Sequence, residues 1–338
     1  MRVLLAMSGG VDSAAAALCL LRAGHTVEGC TLSLTEGFDT ELTRARETAA
    51  ALGIPHRVLD LSDEFYREVI LPFAEEYACG RTPNPCVVCN RRIKLGRLYD
   101  HARAEGFDAL ATGHYARIES ENGEYRIMRA RDAKKDQSYV LYRLEAEMLP
   151  HLLLPLGEMT KEEARSLVKE AGLPASEAPE SQDICFVRDG DYAALIERVM
   201  GRPCPPGDYI DGDGNILGRH QGIIHYTVGQ HKGLGIALGR VRYVTAIDGA
   251  RGTVTLGDEG ELYKSEVRLE RVHYIGKAPT APYRASVKLR YGQRAEEATV
   301  YPEGEGARLV FDRPQRAPAP GQSAVLYDGD ALLGGGVI

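Results

Sequence analysis

Arg2-Val-Leu-Leu-Ala-Met-Ser-Gly-Gly-Val-Asp-Ser13 sets an apolar run, two adjacent glycines and a helix start side by side. Residues 2–7 have the length of one buried strand. From Ser13 to Ala23, Ala14, Ala17, Leu18 and Leu21 fall on one helical face, and Gly24 closes the segment. Between them, Gly9 and Gly10 let the backbone turn tightly and aim successive N–H groups at one concavity, an anion-binding nest. The helix that follows adds its positive N-terminal end. Ser8 and Ser13 can donate to phosphate oxygens, and Asp12 can cap the helix or hold a magnesium ion. The loop is not of the Walker type, because Gly-x-x-x-x-Gly-Lys-Ser/Thr occurs nowhere in the chain. The bland alternative is an ordinary strand-to-helix turn with Asp12 as its cap.

The same alternation continues outward. Val27–Leu32, Arg57–Leu61 and Asp108–Thr112 read as strands, and Glu41–Leu52 and Phe65–Tyr77 as helices. Strands alternating with helices imply an α/β domain with a doubly wound parallel sheet. Ligands of such sheets bind beyond the carboxyl ends of the strands, where Ser8-Gly9-Gly10 and Gly113-His114 both lie. Thr160-Lys-Glu-Glu163 is a capping box that opens a helix running to Ala171. After about residue 200 the pattern changes to short alternating segments: 243–246, 253–256, 285–289, 298–301, 308–311 and 323–327. Gly, Pro and Asp-Gly turns separate them, which points to barrel-like β modules. Asp211-Gly-Asp-Gly-Asn215 starts like a calcium loop, but Ile216 and Gly222 stand where Gly and Glu are needed, so a hairpin turn is expected.

With 338 residues, 44% hydrophobic and 26% charged, the chain has the composition of a globular protein of two or three domains. A net charge of −7 advertises no polyanion partner, although local basic patches decide such binding. No apolar stretch approaches a membrane span and no signal peptide is read, so no membrane association and a cytoplasmic location are expected. Seven cysteines without a signal peptide fit a reducing compartment, where thiols serve catalysis or metal binding.

Two cysteine segments stand out. Gly80–Asn90 (GRTPNPCVVCN) reads as an ordered turn leading into a helix, with Cys89 near a helix start and Arg91, Arg92 and Lys94 close by; a lowered thiol pKa is expected for Cys89. Ser181–Phe186 (SQDICF) holds Cys185. Cys86 and Cys89 could instead be half of a zinc site, but no second Cys-x-x-Cys exists.

SGGVDS after a first strand resembles the phosphate loop of the ATP-pyrophosphatase (adenine nucleotide α-hydrolase) superfamily. Together with GRTPNPxxxCN, ATGHY (111–115), KDQSYxLY (135–142), the Cys185 segment, YTVGQHKGLGI (226–236) and PGQSAVLY (320–327), it makes the whole chain resemble the tRNA-specific 2-thiouridylase (MnmA/TrmU) family. The resemblance implies a HUP-type (PP-loop) N-terminal domain over 1–200, a small central module over 201–260 and a C-terminal β-barrel over 261–338. It implies ATP-dependent sulfur transfer to the wobble uridine of tRNA, with Cys89 and Cys185 catalytic, Cys185 bearing a persulfide and Cys89 forming a disulfide with it. Ala6, Met7, Ser8, Gly9, Gly10, Val11, Asp12 and Ser13 would bind ATP with Mg2+, and Leu32 and Gly113 the adenosine. Asn84, Pro85 and Cys86 would line the target base, while His114, Lys135, Asp136, Gln137, Arg290, Tyr291 and Gln322 would touch tRNA. A cysteine desulfurase or sulfur-relay protein is the implied partner. The chain departs from the pattern at Cys86, where many members carry Asp. That departure opens an alternative, an iron–sulfur cluster held by Cys86, Cys89 and Cys185 as sulfide carrier. An amine-transferring enzyme with the same loop would not need the cysteines, and an idle RNA-binding protein would need neither motif.

Overall fold

The structure, a computed structural model, describes residues 1–37, 39–178, 184–187 and 190–338; Ser181, Gln182 and Asp183 of the second cysteine segment lie outside the described residues. The chain packs as two compact units. Met1–Glu68, Cys86–Phe186 and Gly329–Leu332 form the first; Val69–Pro85, Val187–Asp328 and Leu333–Ile338 form the second.

The first unit is built on a five-stranded parallel sheet. Its strands are β1 (Arg2–Ala6), β2 (Thr26–Ser33), β3 (His56–Asp60), β4 (Ala109–Ala111) and a short strand at Leu152–Leu153. Their order is β3-β2-β1-β4 followed by Leu152–Leu153, with every pairing parallel. The order reverses direction between β1 and β4, so a crevice opens at their carboxyl ends. Val3, Leu4 and Leu5 are fully buried, as a central strand covered on both faces requires. Helix α1 (Val11–Arg22) starts two residues earlier than its apolar stripe suggests. Ala14, Ala15, Ala16 and Ala17 are all buried. Four small side chains let α1 approach both the sheet and the helix Lys161–Glu170, whose Ala164, Leu167 and Val168 share the same core. That helix carries the expected capping box: Glu163 N–H donates to Thr160 Oγ1 at 3.2 Å and Thr160 N–H to Glu163 Oε2 at 2.7 Å.

An antiparallel hairpin, Ala116–Glu121 with Glu124–Arg129, also belongs to this unit. Asn122 and Gly123 turn it with φ of 53° and 83°, the type I′ geometry that Asn-Gly pairs favour.

Two all-β modules follow along the chain. Gly207–Ile210, Ile216–His220, Tyr243–Asp248 and Thr253–Gly257 form a four-stranded sheet. The Asp211–Asn215 segment is the hairpin turn between the first two, with Asp211 accepting from Asp213 N–H at 3.0 Å and Asn215 N–H at 2.8 Å. The other module is a barrel of six strands, Tyr263–Tyr274, Tyr283–Lys288, Glu296–Glu303, Gly306–Arg316, Ser323–Asp328 and Ala331–Val337, closed by pairing of the first with the last. Alternate residues such as Val267 and Leu269, or Leu309 and Phe311, fill its interior. The first and last barrel strands extend the sequence expectation. Helix Leu71–Ala78 packs in the second unit through Tyr77, whose ring lies 5.1 Å from that of Tyr192.

Candidate functional site

The phosphate loop closes on itself before any ligand arrives. Gly9 has φ of 74°, and a Cβ there would overlap the Glu41 carbonyl oxygen. Ser13 Oγ donates to the Gly10 carbonyl at 2.9 Å and accepts from Ser8 N–H at 3.2 Å. Ser8 is exposed and Gly10 N–H lies 3.4 Å from its hydroxyl. Met7 is buried; its carbonyl accepts from Thr31 Oγ1 at 2.8 Å, and Gly29 leaves room for its sulfur. Ala6 and Val11 flank the turn, and Leu32 stands near the carboxyl end of β2. Gly113 follows β4 and approaches α1 so closely that a Cβ would come 2.9 Å from the Asp12 backbone. The loop, Gly113 and the sheet's switch point therefore coincide.

Asp12 does not cap α1. The N-cap is Gly10, with no side-chain cap bond. The Asp12 carboxylate instead receives Lys161 Nζ at 2.6 Å and the Tyr115 hydroxyl at 2.8 Å, both on Oδ1. Local reading sees Lys161 only as a residue of a capping box. The partnership spans 149 positions and comes from helix packing.

Cys89 ends the helix Pro85–Cys89, which runs straight into a π-helical segment, Asn90–Arg97. An α-helix would place Cys89 and Lys94, five residues apart, roughly 140° from each other. The i→i+5 closure of a π-turn brings them back toward one face. Gly96 permits this turn: a Cβ there would stand 2.5 Å from the Arg91 carbonyl oxygen. Cys86, Cys185 and Lys94 all act electrostatically on Cys89, so the three thiols and the ammonium lie within electrostatic reach of one another.

The expected lowering of the Cys89 pKa is overturned. Burial pushes its thiol up to about 12, against the pull of Lys94, and neighbouring Cys185 and Cys86 push the same way. The thiol is not at a free helix start, and the two arginines are turned to other partners. Arg91 lies 3.0 Å from Glu145 and Arg92 3.8 Å from Glu68. Cys86 is exposed as a residue, yet crowding around its sulfur raises its thiol too. For Lys94, burial works against the charge, but the neighbouring Cys89, Cys185 and Cys86 pull the other way and its pKa is raised. Cys185 itself is exposed. Asn90, beside Cys89, is buried with its Oδ1 unpaired among the described residues.

His114 joins the two halves of the site. It follows Gly113, its Nδ1 is 2.8 Å from Thr112 Oγ1, and burial, with Lys94 nearby, holds its pKa down at about 3. Its imidazole is neutral near neutral pH. Lys135 is partly exposed. Asp136 is buried and accepts from Ser138 N–H at 3.1 Å and Ser138 Oγ at 3.0 Å. Gln137 Oε1 accepts from Tyr115 N–H at 3.0 Å. In the second unit, Asn84 is partly and Pro85 fully buried. Arg290 donates to the Val228 and Ala317 carbonyls at 3.1 and 2.8 Å, and Gln322 to the Thr82 carbonyl at 2.7 Å. Tyr291 is 43% exposed, with Lys288 over its ring.

A cluster or metal finds no ready cage. Among the described residues, no three His, Cys, Asp or Glu side chains stand together in a metal-holding arrangement. The iron–sulfur alternative at Cys86, Cys89 and Cys185 is not favoured. No described helix is long and apolar enough to cross a membrane.

Comparison with known proteins covers the chain from end to end. Three family models match: tRNA methyl transferase HUP domain over residues 1–189, tRNA methyl transferase PRC-barrel domain over 195–258, and Aminomethyltransferase beta-barrel domain over 264–338. A tRNA-specific 2-thiouridylase MnmA of Acetivibrio thermocellus is 45% identical over 100% of this chain and 99% of its own. The protein of the same name from Desulforudis audaxviator is 46% identical over 99% and 98%. Among solved structures, U34-tRNA thiolase NcsA from Methanococcus maripaludis with its [4Fe-4S] cluster covers 59% of this chain and 67% of its own, at 18% identity and a TM-score of 0.39. That overlap is too loose to speak to chemistry.

Proposed function

The chain belongs to the tRNA-specific 2-thiouridylase family, MnmA, and from that premise we propose that it replaces the C2 oxygen of the tRNA wobble uridine by sulfur, consuming one ATP. The uracil oxygen attacks the α-phosphate and pyrophosphate leaves. The adenylated oxygen then departs as AMP when sulfur attacks C2. Cys185 carries the persulfide, delivered by a cysteine desulfurase or a relay protein. Its outer sulfur bonds to C2; the Cys89 thiolate then attacks the inner sulfur, leaving 2-thiouridine and a Cys89–Cys185 disulfide that a reductant must reopen.

The observation that supports this reading most is the company Cys89 keeps. A buried thiol sits with Cys185, Cys86 and Lys94, and Lys94 reaches His114, the neighbour of the glycine that abuts the phosphate loop. In this reading residues 6–13 cradle ATP, Leu32 and Gly113 flank its adenosine, and Asn84, Pro85 and Cys86 meet the base. His114, Lys135, Tyr291 and the neighbours of Asp136, Gln137, Arg290 and Gln322 meet tRNA; the last four side chains also brace their own loops. Magnesium would come with the nucleotide and neutralise charge on its phosphates. The division 1–200, 201–260 and 261–338 and a reducing, cytoplasmic setting complete the reading.

The test is reconstitution with tRNA, ATP and a persulfide-loading desulfurase, with product nucleosides identified by mass spectrometry. Wild-type protein yields 2-thiouridine. Cys89→Ser and Cys185→Ser lose it by about a thousandfold or more while tRNA-dependent pyrophosphate release continues. Full thiolation by Cys185→Ser removes the persulfide assignment, and absence of 2-thiouridine from wild type removes the function.

A further inference from the structure

Asp12 poses a problem at a site built for an anion. It lies in the first turn of α1, beside the N–H nest, where its negative charge opposes an incoming triphosphate. The fold answers with a second helix. Lys161 opens Lys161–Glu170, its side chain only 9% exposed, and its Nζ meets Asp12 Oδ1 at 2.6 Å. The Tyr115 hydroxyl donates to the same oxygen at 2.8 Å. Each donor is braced in turn. Lys161 N–H donates to Asp132 Oδ2 at 3.2 Å, and the preceding Thr160 anchors the capping box. Tyr115 is held by Gln137 through its backbone N–H and carbonyl, at 3.0 and 2.8 Å.

Burying an ammonium is expensive in itself, and an apolar side chain of similar volume often serves stability as well. A buried lysine aimed at the phosphate loop therefore calls for a role in binding. We propose that Lys161 is a positioning residue for nucleotide binding: it neutralises Asp12 and, with Tyr115, turns that carboxylate away from the cradle, so that the loop accepts the phosphates of ATP. The inference rests on the ATP-dependent reading above and adds a residue from outside the loop to it.

The experiment is a double-mutant cycle read by calorimetric titration with ATP, alongside melting curves. Lys161→Met weakens ATP binding by about tenfold or more, and Lys161→Arg, which keeps the charge, stays within about threefold of wild type. In an Asp12→Asn background the same Lys161→Met change alters ATP affinity by no more than about twofold, because there is no charge left to neutralise. A purely structural lysine would give the same loss in both backgrounds, and that result overturns the proposal, as does wild-type affinity in Lys161→Met. If Lys161→Met fails to melt cooperatively, Lys161→Gln carries the cycle. A wild-type protein that binds no ATP would instead count against the proposed function and not against Lys161.

Discussion

Lys161 and Lys94 lie in the same unit, yet they serve opposite conditions. Lys161 Nζ stands 2.6 Å from the Asp12 carboxylate, so its ion pair exists before any substrate arrives. Lys94 faces three thiols, and the buried one, Cys89, is held neutral with a pKa of about 12. One corner of the site has its charges balanced at rest; the other holds a cation ready for a negative charge that appears only during turnover. Binding is prepared at the first corner, and reaction at the second.

The largest effect separating the two corners should come from Gly9→Ala. A β-carbon at φ of 74° costs about 1–2 kcal/mol in backbone strain and would also overlap the Glu41 carbonyl, so the loop must reshape. ATP affinity should fall by about a hundredfold, while persulfide loading of Cys185, followed by mass spectrometry, should persist. Loss of both would mean that the corners are not independent. Lys94→Met should do the reverse, leaving ATP affinity within about twofold and slowing single-turnover thiolation by about tenfold or more. Because Cys89 must lose a proton held with a pKa near 12, the wild-type rate should climb about tenfold per pH unit from 7 to 9, with the variant parallel and lower. A wild-type plateau near pH 8 would show that the thiol ionises in its ordinary range, and the contrast between the lysines would vanish.

What the sequence discloses follows the range of its signals. The phosphate loop is legible because every part of it is local: an apolar run, two glycines and a helix lie within twelve residues. The capping box at Thr160 and Glu163 is legible for the same reason. The partner of Asp12 is not, because only the packing of small alanines brings Lys161 to it across 149 positions. Cys89 misleads because nearby basic residues suggest a stabilised thiolate, whereas Arg91 and Arg92 turn to Glu145 and Glu68 and burial decides the outcome. A search at 3.6-residue periodicity cannot see the π-helical segment that swings Lys94 onto the thiols. Asn122-Gly123 does carry the standard hairpin signal, and a scan for buried runs passes over it because Glu119, Ser120 and Glu121 beside it are polar and exposed. The last barrel strand is masked by Gly334, Gly335 and Gly336, residues that read as a loop.

The last prediction probes the link between the corners. His114 has its pKa lowered from 6.5 to about 3, first by burial and then by Lys94. Below pH 6.5 the unfolded chain binds a proton at this residue that the folded chain refuses until about pH 3. Its contribution to stability is therefore complete above 6.5 and is lost as pH falls, at up to about 1.4 kcal/mol per pH unit. Urea unfolding of His114→Gln between pH 7 and 4.5 should show a shallower acid decline than wild type. Lys94→Met leaves the imidazole with burial alone, so its pKa should move upward, as an NMR titration of His114 would record. An unmoved resonance would place Lys94 out of reach of His114, and the route from the thiols to the phosphate loop would lose its middle step.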